Sequence, residues 1–67
     1  MSVTNNVTVM RNRCDNLLKS YLEARDKTAN RYCDLIFDVC EQYADGIPMG
    51  QIDEIIKEYV LKIKENM

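Results

Sequence analysis

Histidine and tryptophan are absent from these 67 residues, and glycine, proline and phenylalanine occur only two, one and one times. Without histidine, the commonest general base and the usual partner of a nucleophilic serine or cysteine are missing, which excludes the familiar catalytic triads. Both glycines, Gly46 and Gly50, fall in one short segment. No glycine-rich phosphate-cradling motif exists. The three cysteines, Cys14, Cys33 and Cys40, form no C-x-x-C pair, so neither a zinc site nor a dithiol redox centre has sequence support. Cys33 and Cys40 stand seven apart, roughly 10 Å along a helix axis, too far to share one ion within it. A symmetric oligomer would be needed to bring copies of one cysteine together.

No apolar run approaches the length of a membrane span, and the start, Met1-Ser2-Val3-Thr4-Asn5-Asn6-Val7, has no basic stretch leading into a hydrophobic one. Neither a signal peptide nor a transmembrane segment is expected. An odd cysteine count without export signals fits reduced thiols and a cytoplasmic location. The loop Asp45-Gly46-Ile47-Pro48 lacks the alternating oxygen ligands of a calcium loop. No metal, no cofactor and no catalytic residue is expected, and the chain is not read as an enzyme.

What is present is a helical composition, 46% hydrophobic and 30% charged, in a chain long enough for one small domain. A chain of 7.8 kDa hides only about 61% of its surface on folding, from about 11,000 to about 4,400 Å². Such a core is marginal, and support beyond it is expected.

The only strong punctuation is Asp45-Gly46-Ile47-Pro48-Met49-Gly50. Upstream, residues 9–44 contain neither Gly nor Pro, which permits one helix of about 54 Å. Leu18, Leu22, Ala29, Tyr32, Ile36, Val39 and Tyr43 fall on alternating four- and three-residue steps, interrupted at Arg25. They read as a heptad seam. Met10, Cys14, Leu17 and Tyr21 widen the stripe near its start, and Cys33, Phe37, Cys40 and Ala44 near its end. The polar middle, residues 23–31, reads as the exposed waist of a continuous helix. The alternative is a kink near 25–28, with Asp26 or Thr28 capping the second segment.

Beyond the 45–50 turn, Ile52, Ile55, Ile56, Tyr59, Val60 and Ile63 give an amphipathic helix over 51–65. Pro48 suits its first turn. Asp53 and Glu54 near its start and Lys62 and Lys64 near its end complement the helix dipole. Residues 1–8 read as a flexible arm or a helix start capped by Asn5 or Asn6, with a short edge strand as the alternative. The whole of 1–67 is taken as a single helical domain. The tyrosines Tyr21, Tyr32, Tyr43 and Tyr59 lie on or beside the apolar stripes, where packing with the hydroxyl at the rim is the default.

The expected fold is therefore all-α: a long helix, a Gly/Pro turn and a short helix in a hairpin, completed by homo-oligomerisation. A short helix covers only about half of a long one, so the rest of the seam, Leu18, Leu22, Ala29, Tyr32, Ile36 and Val39, is assigned to an interface between copies. Charge selects its orientation. Residues 1–31 carry six basic and three acidic side chains, residues 32–58 one basic and seven acidic, so antiparallel pairing is favoured over parallel.

Three functions remain in view. The preferred one is a non-enzymatic interaction protein that oligomerises and docks on a protein partner as an accessory, regulator or inhibitor, a role that suits phage or mobile-element proteins. The candidate docking face is Asp34, Asp38 and Glu41, continued by Asp45, although such a run is more often simply solvated. An oligomer that sequesters a phosphate-bearing small ligand through Arg11, Arg13, Lys19 and Arg25 is the alternative. A nucleic-acid-binding regulator comes third, disfavoured by a pI near 4.9 and by an acidic, Ile-rich helix after the turn.

Overall fold

The chain folds as three helices rather than two: α1 over Val3–Glu23, α2 over Ala29–Gln42 and α3 over Met49–Glu65. This computed structural model describes residues 3–24 and 28–66, with the side chains of Val3, Thr4 and Asn5 left aside. The expected kink region thus lies largely outside the described residues, as do Arg25 and the proposed cap Asp26. Thr28 does occupy the N-cap position of α2, but its hydroxyl makes no capping bond.

The expected helix over 9–44 is corrected by this geometry. Cys14 on α1 meets Cys40 on α2, and the Tyr21 ring meets that of Tyr32 edge-on with centroids 5.2 Å apart. The start of α1 therefore lies beside the end of α2, and the two run antiparallel. α3 returns parallel to α1, since Arg11 reaches Glu58 and Tyr21 reaches the carbonyl of Asn66. Each helix contacts the other two.

Of the alternatives for the early residues, the structure takes the helix start. Helix α1 begins at Val3, so 3–8 form neither a flexible arm nor an edge strand. Asn6 sits inside the helix, and its side-chain amide donates to the Asp45 carbonyl at 3.1 Å, tying the first turns of α1 to the α2–α3 connection. The proposed cap Asn5 is likewise within the helical span. In that connection the Ile47 amide donates to the Ala44 carbonyl at 2.9 Å, and Gly46 has φ 81°. This is the third position of a type II turn, where only glycine is free of steric penalty. Helix α3 starts two residues earlier than expected. Pro48 is its N-cap, with its carbonyl accepting from Gln51 and Ile52. Asp53 and Glu54 consequently lie beyond the first turn, where the dipole effect has faded, whereas Lys62 and Lys64 occupy the last turn as expected.

One core joins the three helices. Met10, Cys14 and Tyr21 come from α1, Ala29, Ile36 and Cys40 from α2, Ile52, Ile55, Tyr59 and Ile63 from α3, and Ile47 closes the turn. On α1 the buried set, with half-buried Val7, Leu17 and Leu18 beside it, follows 7, 10, 14, 17, 21. Its members Met10, Cys14, Leu17 and Tyr21 are those read from sequence as mere widening.

The oligomer-completed hairpin is overturned by the same observation. Ala29 and Ile36, assigned to an interface between copies, are already buried within one chain, and Leu18, Tyr32 and Val39 pack half-buried against the core. Only Leu22 faces outward, 44% exposed. The chain exposes 4729 Å², close to the roughly 4,400 Å² of a lone folded protein of this mass. A partner copy is not needed to hide the seam, and the antiparallel dimer is withdrawn along with it.

Two substitutions separate the arrangements. Ile36→Ala opens a core cavity and should lower stability by about 2–5 kcal/mol, whereas Leu22→Ala should change it by less than about 1 kcal/mol. Both are read from urea melts. The melting midpoint should not move with protein concentration. An obligate dimer would show the opposite, with a concentration-dependent midpoint and Leu22 as costly as Ile36.

Candidate docking groove between the first two helices

Because α1 and α2 cross with α3 on one side only, their outer side is open. A groove of about 350 Å³ runs there. From α1 it is lined by Arg13, Asn16, Leu17 and Ser20. From α2 it receives Leu35, Asp38, Val39 and Gln42. Leu17, Leu35 and Val39 are half-buried and form an apolar floor, while the polar members of the lining are exposed. This is the pattern of a concave recognition surface with few polar groups at its margin.

The acidic residues singled out from sequence lie alongside. Asp34, Asp38 and Glu41 project from the outward side of α2, all exposed, and none is in an ion pair among the described residues. Asp38 also lines the groove, so the acidic row and the apolar floor adjoin.

Arg11 and Arg13 do not converge. Arg11 faces α3 and pairs with Glu58 at 3.0 Å. Arg13, two positions on, turns to the opposite flank of α1 and into the groove. Lys19 is exposed, and Arg25 lies outside the described residues. Among the described residues, no group of three or more cysteine or carboxylate side chains is placed to hold a metal ion. No described helix is long and apolar enough to cross a membrane.

The flank of α1 facing α3 is occupied by a polar network. The Tyr59 hydroxyl donates to Asp15 Oδ1 at 2.5 Å and lies 3.4 Å from the Arg11 carbonyl. Burial, and after it the hydrogen bond to Asp15 and the charge of that carboxylate, push the Tyr59 phenol well above its ordinary range. Lys62 sits 5.3 Å from the centre of the Tyr59 ring and 3.8 Å from Glu58. The Tyr59 contacts with Asp15 and Arg11 join residues 44 and 48 apart in the chain, and no local pattern announces them. The sequence signal for the groove was equally indirect: Leu17 and Leu35 each stand one position off the expected seam.

A pair of thiols is also brought together. Cys14 Sγ and Cys40 Sγ lie 4.0 Å apart, both buried. Burial, then the neighbouring Cys40, pushes the Cys14 thiol up to about 12, and burial also raises Cys40. Both are protonated at neutral pH and pack as small hydrophobes rather than nucleophiles. Cys33 is half-buried.

Compared with protein-family models, with curated proteins and with solved structures, the chain gives no match. The groove is therefore read from its own chemistry.

Three measurements check these environments. Tyr59→Phe keeps the ring but removes the bond to a charged carboxylate, and should cost about 1–2 kcal/mol, a fall of roughly 5–10 °C in the melting midpoint. A thiol-specific chromogenic disulfide should label one cysteine rapidly in the native protein, and Cys33→Ser should abolish that fast phase. Cys14 and Cys40 should react only as the chain unfolds. Their raised thiol pKa values mean that the folded state retains protons which the unfolded chain releases, so stability should be fully present below pH 9 and decline as pH rises toward about 12. The decline should be shallower in Cys14→Ala.

Proposed function

We propose that this chain is a small non-enzymatic docking protein that binds a protein partner along the outer side of α1 and α2, and so acts as an accessory, regulator or inhibitor of that partner. The reading rests on one juxtaposition. The exposed row Asp34, Asp38 and Glu41, in no ion pair among the described residues, borders a groove whose floor is Leu17, Leu35 and Val39. An apolar centre with a polar margin is the usual anatomy of a protein–protein contact. The basic side of the protein offers less. Arg11 is engaged by Glu58, and Arg13 points away from it, so these two do not form a convergent pair for a phosphate. Self-association has no part in completing the core and is not invoked.

Site-specific photocrosslinking in the source cell tests this. A photoreactive phenylalanine at Gln42, on the groove, should give a discrete protein adduct, and the same group at Lys57, on exposed α3, should not. Excess unmodified chain should suppress the adduct, while Asp34→Lys/Asp38→Lys should compete about tenfold more weakly or worse. Equal labelling from both positions, or an adduct with nucleic acid alone, would refute the proposal.

A further inference from the structure

We infer that the occupant of the α1–α2 groove is a cationic amphipathic helix of two to three turns, laid between the two helices as a fourth helix. The inference rests on the docking reading above and specifies the partner's chemistry. Length comes first. The lining on α1 runs from Arg13 to Ser20, and on α2 from Leu35 to Gln42, seven rises of about 1.5 Å each, or roughly 10 Å. That matches the separation of apolar anchors at i, i+3 or i+4, and i+7 on one helix face, the spacing by which helices bind in grooves.

Geometry comes second. Two antiparallel helices whose inner sides are closed by α3 present parallel ridges on their outer sides, with Leu17, Leu35 and Val39 between them. A helix seats in such a trough by inserting side chains between ridges. An extended strand would find no unpaired backbone groups to bond there, because both walls are helical.

Charge decides the third point. Within the groove itself, Asp38 faces a single cation, Arg13. Asp34 and Glu41 flank Asp38 one turn to either side and tip the α2 wall acidic. A helix with lysines or arginines along the edge that meets α2 would pair with this row, whereas an acidic helix would be repelled. Arg13 lies at the end of the groove near Gln42, where it favours a carboxylate or the carbonyl terminus of the incoming helix. The helix is thereby oriented.

A labelled synthetic helix tests this directly. The probe is a 14-residue peptide with leucines at i, i+4 and i+7 and lysines along one flank, and fluorescence anisotropy reads its binding. The controls are its glutamate-for-lysine counterpart, a scrambled peptide of the same composition, and a single-stranded oligonucleotide. The lysine peptide should bind at least about tenfold more tightly than each control. Leu35→Gln should lose about tenfold, and Asp34→Asn/Asp38→Asn should both weaken binding and flatten its salt dependence. Amide chemical-shift changes in the unaltered protein should fall on α1 and α2, a readout independent of whether Leu35→Gln folds. Equal binding of the scrambled peptide, a preference for the oligonucleotide, or shifts centred on α3 would overturn the inference. If crosslinks from Gln42 persist while the lysine peptide is ignored, docking survives and the helical partner falls. Loss of both would remove both.

Discussion

The reversal of direction between α1 and α2 is the constraint from which the remaining arrangement follows. With the chain turned back between Glu23 and Ala29, Met10, Cys14 and Tyr21 on one helix meet Ile36 and Cys40 on the other. Starting a second helix costs about 4 kcal/mol, the price of nucleation. Burying five such side chains returns on the order of 10 kcal/mol. The reversal therefore wins over a single unbroken rod. The sequence Glu23-Ala24-Arg25-Asp26-Lys27-Thr28 carries no large apolar side chain that would favour the rod.

The same comparison explains why one chain suffices. Two rods in an antiparallel dimer would hide similar surface, but association costs at least about 4 kcal/mol of translational and rotational freedom at standard concentration. Folding back is intramolecular and avoids that cost. Once α1 and α2 are paired, α3 needs only to cover the remaining side of a preformed trough. Its isoleucines Ile52, Ile55 and Ile63 fill that trough, while Tyr59 anchors α3 to α1 through Asp15.

The candidate site is a consequence of this packing. The third helix covers α1 and α2 on their inner side and leaves their outer side open. Here that side joins an apolar floor to an exposed acidic edge. The polar network at Tyr59, Arg11 and Glu58 fixes the relation of α1 to α3 and engages the Arg11 side chain with Glu58. The buried thiols at Cys14 and Cys40 belong to the core, since burial keeps them protonated.

Helical class, the Gly/Pro turn, the amphipathic phase of α3 and the exposed acidic row were legible in the amino-acid order, because each depends on neighbours within one or two turns. Gly46 and Pro48 act on their own backbone, and Asp34, Asp38 and Glu41 share a side by spacing alone. The phase of α1 was not legible. Leu18 and Leu22 extend smoothly into Ala29, Tyr32 and Ile36 only if the helix is unbroken, and a reading of period therefore selected that seam over 7, 10, 14, 17, 21. Which stripe is buried, whether the helix breaks, how many chains make the core and which side remains open all depend on contacts between residues dozens of positions apart. Only the folded chain decides them, because burial rewards a seam for meeting a surface and not for being regular.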